Sequence, residues 1–322
     1  PKYVTPVETL YAGDIQRYMM NVEPHILKFK PDWIVSMTEF WRQQSFINLQ
    51  IGKVYGIKTA FFRWENLPID DTLPEQMREI EQTILKEANL LICGNKEAEQ
   101  ITQPRTSIPI VKLLETGIDI DIFKPSPPLK EYQDGKRNIL YVGRYVLEKG
   151  INTIVSATRN LDNTRVIFNG GQQANQSLFA SENHSYESDK TPTLPSQTRA
   201  EFHVTETTDY SQLPNLMSTA DVGVVASVDL PNWKEQCCYV IGEMLACGLP
   251  VVSTDAGSIP EIWWQCPLVH LVPQNNPDAM REAIVNVIRN PPNRSRGPEW
   301  IAATYSNGQL AGRYVRALRE YS

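Results

Sequence analysis

Between Val222 and Glu261 the chain passes through strand, loop, helix and strand in quick succession. An apolar run, Val222-Gly-Val-Val-Ala226, is followed by a polar loop with Pro231 and Trp233 and then by Glu235. A helix-like segment runs from Cys238 to Cys247 and stops at Gly248; Val251-Val252-Ser253 and the turn Asp255-Ala256-Gly257 come next. This order is the βαβ unit of a parallel sheet. Ligands of such sheets gather beyond the carboxyl ends of the strands, where the loop carrying Glu235 belongs. One carboxylate before the helix and a second, Glu243, inside it narrow the chemistry further.

The same alternation extends along the chain. In the first half, strands are expected at Trp33–Ser36, Thr59–Phe62, Leu90–Cys93 and Ile110–Leu114, with helices at Gln43–Tyr55 and Pro74–Ala88. A helix over Ile15–Phe29 has Tyr18, Val22, Ile26 and Phe29 on one face, with Pro24 interrupting it. The Pro- and charge-rich stretch 125–137 reads as a linker between domains 1–124 and 138–300. Beyond it, strands are expected at Asn138–Val142, Arg165–Phe168, Glu201–Val204, Val222–Ala226, Val251–Ser253 and Leu268–Val272. Helices fall at Asn152–Arg159, Leu213–Ala220 and Pro277–Asn290. Terminal helices within 301–322, broken near Ser306, are expected to pack back on the first domain. The polar segment 172–198 has too little apolar surface to offset ordering and reads as a surface insertion.

Bulk properties exclude several classes of function. At 322 residues there is room for two domains with ordinary cores. A net charge of -6 gives no general attraction for nucleic acid. No run approaches ~18 apolar residues, so no spanning helix is expected, and the first residues do not resemble a signal peptide. The five cysteines are odd in number and lack metal-finger spacing, which points to reduced thiols and a cytoplasmic location. No metal site is expected.

The turn Tyr141-Val-Gly143-Arg144, followed by Lys149-Gly150, sits where the first strand of the second domain gives way to its helix. Gly143 permits close backbone approach, and two cations at a helix start can hold a diphosphate. A solvated basic turn is the plainer reading of these residues taken alone. Glu243 lies among Val240, Ile241, Met244, Leu245 and Ala246, so its carboxylate is confined and needs donors such as ligand hydroxyls.

Together these residues resemble the family-four retaining glycosyltransferases of the GT-B fold. The resemblance rests on Glu235, seven residues and Glu243, then Met-Leu-Ala-Cys-Gly-Leu-Pro-Val-Val and Gly257-Ser-Ile-Pro-Glu261. Tyr141 to Arg144 with Lys149-Gly150, Thr116-Gly-Ile-Asp119 with Phe123 and Pro125, and Pro31-Asp32 carry it further. It implies an α/β chain of two Rossmann-like, doubly wound domains facing a cleft, the first shortened, with the nucleotide sugar bound mainly by the second. It implies that Arg144 and Lys149 neutralise the donor diphosphate, that Glu243 binds the ribose and Glu235 the sugar. Amides near Cys237, Cys238 and Tyr239 would meet sugar or phosphate, and the loop at Thr205 and Glu206 would meet the base. The implied donor is UDP-, GDP- or ADP-linked and the acceptor a glycan or a lipid-linked hydroxyl. No cofactor or metal is implied, and peripheral membrane contact is left open. Where the family usually has a His, this chain has Arg63-Trp64-Glu65-Asn66, so Trp64 and Glu65 are candidates for the first domain's share of the cleft. A non-catalytic nucleotide-sugar-binding module and a nucleotide-sugar 2-epimerase remain as alternatives.

Overall fold

The computed structural model describes residues 9–12, 16–19, 22–68, 72–170, 198–205 and 207–322. The chain divides into two compact units, Pro1–Glu115 with Gly312–Ser322, and Thr116–Ala311.

The first unit opens with an antiparallel pair, β1 (Thr9–Ala12) and β2 (Gln16–Met19), and helix α1 (Val22–Phe29). The helix expected from Ile15 therefore begins seven residues later. Pro24 lies in its first turn, where a missing N–H costs no intrahelical bond. Then come β3 (Trp33–Ser36), α2 (Gln43–Tyr55), β4 (Lys58–Arg63), α3 (Glu75–Glu87), β5 (Leu90–Cys93), α4 (Lys96–Thr102) and β6 (Ile110–Lys112). The last four strands form a parallel sheet in the order β3-β4-β5-β6. Successive side chains of a strand point to opposite faces, so both faces of this sheet must be apolar. Phe61 and Leu91 pack with Leu49, Ile80 and Ile84 on one side. Ala60, Phe62, Leu90 and Ile92 meet Tyr314, Leu318 and Tyr321 from the end of the chain on the other.

The second unit contains β7 (Arg137–Val142), α5 (Ile151–Thr158), β8 (Thr164–Asn169), β9 (Glu201–Thr205), α6 (Leu213–Thr219), β10 (Val222–Val225) and α7 (Tyr239–Ala246). It continues with β11 (Val251–Thr254), α8 (Ile259–Trp263), β12 (Val269–Val272), α9 (Pro277–Arg289) and α10 (Arg296–Thr304). A final helix, α11 (Asn307–Glu320), starts in this unit and ends in the first. The sheet order is β12-β11-β10-β7-β8-β9. The chain thus winds outward from β7 through β8 and β9, then returns to the other side of β7 for β10, β11 and β12. The adjacent central strands β7 and β10 mark the point where the winding direction reverses, and the crevice beyond their carboxyl ends is where a doubly wound sheet binds ligands.

Two boundaries differ from expectation. The stretch 125–137 is no free linker, and the units divide at 115/116. Ser126 N and Leu129 N donate to Ser218 Oγ (2.9 Å) and Thr219 Oγ1 (2.8 Å) of α6, and Asn138 Nδ2 donates to Tyr132 O (3.0 Å). Of the two terminal helices, α10 packs on α7 in the second unit, and only residues from Gly312 onward join the first. The segment 172–197 and Glu206 lie outside the described residues.

Gly150 links the two central strands. Its φ is +61°, and a Cβ there would lie 1.9 Å from the carbonyl oxygen of Ala226, just past β10. Gly150→Ala should therefore cost at least ~2 kcal/mol in urea unfolding, since left-handed strain alone is worth roughly 1–3. Gly308→Ala, in the open first turn of α11, should be neutral or slightly stabilising.

Candidate functional site

The loop after β7 begins at Gly143, and its carbonyl lies only 1.9 Å from where a Cβ on Gly170 would sit, so the loops after β7 and β8 touch. Tyr141 Oη closes the turn by donating to Arg144 O at 2.6 Å. Arg144 itself is half exposed and approaches Glu148 at 3.5 Å. Glu148 is 3% exposed, and its Oε2 is buried without a hydrogen bond.

Lys149, five residues beyond Arg144, turns inward. Its Nζ lies 2.6 Å from Glu235 Oε2 and 4.9 Å from the centre of the Trp233 ring. The same carboxylate oxygen accepts from Ser227 Oγ at 2.8 Å. Burial works to lower the pKa of Lys149, but the Glu235 charge and hydrogen bond outweigh it and the net shift is upward, so the ammonium stays charged. Glu235 is 7% exposed, and its backbone is fixed by Ser258 N, which donates to Glu235 O at 2.9 Å.

Cys238 stands at the head of α7 in a left-handed conformation (φ +56°, ψ +61°), and no side chain caps that helix start. For a residue with a Cβ this backbone costs about 1 kcal/mol or more. Burial first, then the Glu235 charge, push its thiol well above the ordinary range, with Lys149 acting in the opposite direction and Glu243 adding to the rise. Cys237 is buried and its carbonyl accepts from Trp263 Nε1 at 2.6 Å. Tyr239 Oη accepts from Thr116 N at 3.3 Å, tying α7 to the strap that opens the unit.

Glu243 is one turn further along α7, half-buried, and accepts from Tyr210 Oη at 3.4 Å. Burial raises its pKa to about 7, against the smaller lowering effect of that hydrogen bond. Tyr210 is in turn set edge-on against Phe123 at 5.0 Å. Thr205 ends β9 level with Asn169 of β8, whose Nδ2 donates to Thr205 Oγ1 (2.9 Å) and Thr208 Oγ1 (2.6 Å).

Trp64 and Glu65 belong to the first unit, immediately after β4. Their amides both donate to Glu39 Oε1, at 2.8 and 2.9 Å. Burial lifts the Glu39 carboxyl to about 7, opposed by those two hydrogen bonds and by Arg63.

The second unit therefore gathers Gly143, Arg144, Lys149, Glu235, Cys238 and Glu243 at the ends of β7 and β10 and the start of α7. Ser227, Glu148 and Tyr210 are part of the same construction and escaped the sequence analysis. Ser227 was readable as the first polar residue beyond an apolar strand. Tyr210 carries no such signal, being 33 residues from its partner. Among the described residues no group of three or more His, Cys, Asp or Glu is placed to hold a metal ion, and no helix is long and apolar enough to cross a membrane.

Residues 127–299, more than half of the chain, match the family model described as glycosyl transferases group 1. The chain belongs to this family. The group 1 assignment fits a match that spans the whole second sheet and every site residue after the strap. Solved structures similar to the chain carry the GT-B fold. A sucrose-phosphate synthase from Thermosynechococcus elongatus superposes with a TM-score of 0.65 at 17% identity, over 99% of this chain and 87% of that one. The Anabaena protein HepE, solved with UDP and glucose, gives 0.65 at 14% identity, over 93% and 81%. A UDP-forming α,α-trehalose-phosphate synthase from Burkholderia xenovorans gives 0.63 at 13%, over 92% and 76%. A search of curated protein sequences found no match.

The two raised carboxyls predict how stability varies with pH. In the unfolded chain Glu39 and Glu243 titrate near 4.5, and in the folded chain near 7. Between those values the folded state holds more protons, so stability falls as pH rises from about 4.5 to 7 and then levels off. Each group contributes up to about 3 kcal/mol to that fall. Urea unfolding at pH 5, 6 and 7 should show the decline, and the double variant Glu39→Gln/Glu243→Gln should flatten it; an equal slope in the variant would contradict both shifts.

Proposed function

We propose that the protein is a retaining glycosyltransferase that moves a sugar from a nucleotide-diphosphate donor onto a hydroxyl acceptor, without a metal or other cofactor. The observation that carries this reading is the Lys149–Glu235–Ser227 cluster at the winding reversal of the second sheet, beside an uncapped helix start. Group 1 membership and structural neighbours crystallised with UDP support it, and favour a UDP-linked donor over GDP- or ADP-linked ones.

In this reading the diphosphate lies over the Gly143–Arg144 turn. Arg144, half exposed and only loosely held by Glu148 at 3.5 Å, is able to swing onto it, and Lys149 supplies a second positive charge from below. As the bond between the anomeric carbon and the diphosphate breaks, negative charge grows on the leaving oxygens. Two cations and the amides opening α7 stabilise that charge more than they stabilise the intact donor, and this difference lowers the barrier. Glu235 receives sugar hydroxyls on its carboxylate, and its amide-anchored backbone keeps that carboxylate from moving. Glu243 accepts from the ribose hydroxyls, displacing or sharing Tyr210 Oη. Thr205, with Glu206 beside it in sequence, takes the base side. The acceptor hydroxyl oxygen then joins the anomeric carbon on the face the diphosphate has left, and its proton passes to the departing diphosphate oxygen.

Calorimetric titration with UDP-glucose, GDP-glucose and ADP-glucose tests the donor assignment. Glu243→Ala should abolish measurable nucleotide-sugar binding, and unchanged affinity would sink the assignment. Glu235→Ala should reduce turnover at least ~100-fold while nucleotide affinity changes less. The reverse pattern would remove its sugar-facing role, and binding without any turnover in the wild type would favour a non-catalytic module. Ribose hydroxyls bond best to an ionised Glu243, so binding releases its proton and affinity should rise between pH 6 and 8. Glu243→Gln should lose that dependence.

A further inference from the structure

Tyr210, in the loop between β9 and α6, stands between the two places assigned above to the donor's nucleoside. On one side Thr208, two residues earlier, is tied to Asn169 of β8 at 2.6 Å, and the same Asn169 holds Thr205 at the end of β9 at 2.9 Å. On the other side Tyr210 Oη donates to Glu243 Oε1 of α7 at 3.4 Å.

The backbone of this residue is fixed, whereas its ring is not enclosed. Ser211 N donates to Asp209 Oδ1 at 2.9 Å, and Gln212 N and Leu213 N donate to Asp209 O at 2.9 and 3.2 Å, which locks the turn that leads into α6. The ring of Phe123 lies 5.0 Å away at 81°, and Phe123 is 1% exposed, with its amide bonded to Asp119 O at 2.8 Å. Yet Tyr210 remains 53% exposed. An aromatic ring backed by a buried one and left half in water has a surface to offer a ligand.

Its hydroxyl is also only loosely engaged. Among the described residues no other hydrogen bond reaches the Glu243 carboxylate, and a confined carboxylate needs a donor. At 3.4 Å this bond is longer than ordinary O–H···O bonds, so it meets that need weakly. Burial first, then the Glu243 charge, push the phenol up to about 12, which keeps it a donor at neutral pH. The two hydroxyls of a ribose would satisfy the carboxylate better than one long bond does. A tyrosine kept only to support Glu243 would need no exposed ring, since a serine or threonine hydroxyl donates equally well.

We infer that Tyr210 is a latch for the donor's nucleoside: in the empty site its hydroxyl holds Glu243, and when ribose hydroxyls take that carboxylate over, the freed ring stacks on the base. Every base has a π face, so the stack adds affinity for the nucleoside without choosing among uracil, guanine and adenine. The inference rests on the donor reading, which puts the ribose on Glu243 and the base beside Thr205.

Calorimetric titration with UDP at pH 8.5, where Glu243 is ionised, tests the latch through two variants that act in opposite directions. Tyr210 is half exposed, so neither variant removes core packing. Tyr210→Phe keeps the ring and leaves Glu243 without its donor in the empty site, so UDP should bind about threefold more tightly than to the wild type. Tyr210→Leu loses the ring as well, and should bind UDP at least about fivefold more weakly than Tyr210→Phe. In saturation-transfer NMR with UDP, the uracil H5 and H6 signals relative to ribose H1′ should be kept in Tyr210→Phe and fall at least about twofold in Tyr210→Leu. Binding by Tyr210→Phe no tighter than by the wild type would overturn the latch. Equal affinities of the two variants, or an undiminished uracil signal in Tyr210→Leu, would overturn the stack. Either pattern with UDP bound by the wild type overturns this inference alone, whereas a wild type that binds no UDP removes the donor site and the latch together.

Discussion

A lysine and a glutamate 2.6 Å apart, both largely shut off from water, hold the second unit's functional end together. Removing two such charges from water costs several kcal/mol each, and their attraction repays this only when further hydrogen bonds complete the geometry. Ser227 supplies one of those bonds, and the Trp233 ring faces the ammonium. Around the pair the backbone is fixed with little slack: Gly150 presses on the carbonyl of Ala226, and Ser258 holds the carbonyl of Glu235. Lys149 comes from the loop after β7 and Glu235 from the loop after β10, so the pair staples together the two strands between which the chain reverses its winding. Left to stability alone, a pair of apolar residues would serve this position at least as well. In the proposed reading the charges are kept because a diphosphate and a sugar meet in that crevice.

The sheet's architecture was legible because its signals are local. Apolar runs of the right length set Trp33–Ser36, Gln43–Tyr55 and Leu90–Cys93 to the residue and most other expected elements to within a residue or two, whereas β1, β2, α4 and α8 were not foreseen. Glu235 and Glu243 were legible for a similar reason, as carboxylates placed before and within an apolar helix that follows a strand. Tertiary contacts were not. The stretch 125–137 has the composition of a linker, and distant partners such as the hydroxyls of Ser218 and Thr219, some ninety residues away in the sequence, make it part of the second unit. Pro24 suggested a broken long helix, whereas it sits in the first turn of a short one. Glu39 was passed over altogether, because its significance comes from the register of β3 against β4, which brings it under the amides of Trp64 and Glu65.

The two units solve the same problem with opposite chemistry. Each is a parallel sheet covered on both faces, and each concentrates polar side chains beyond the carboxyl ends of its strands. In the second unit those side chains include two cations and a helix start suited to phosphate. In the first they are the Glu39 carboxylate and the Asn95 amide, which hold the backbone of Trp64. The buried Arg63 shares the Glu81 carboxylate with Arg105, at 3.1 and 2.7 Å.

The central claim is that the charges of Lys149 and Glu235 are kept for a nucleotide-sugar donor. The affinity of the double variant Lys149→Met/Glu235→Gln for UDP-glucose, measured by calorimetry, tests it most directly, because both charges go together and neither is left buried alone. The account predicts a variant that folds with near wild-type stability and binds UDP-glucose at least about tenfold more weakly, the value of one or more charge-assisted hydrogen bonds. Wild-type affinity in that variant would contradict it.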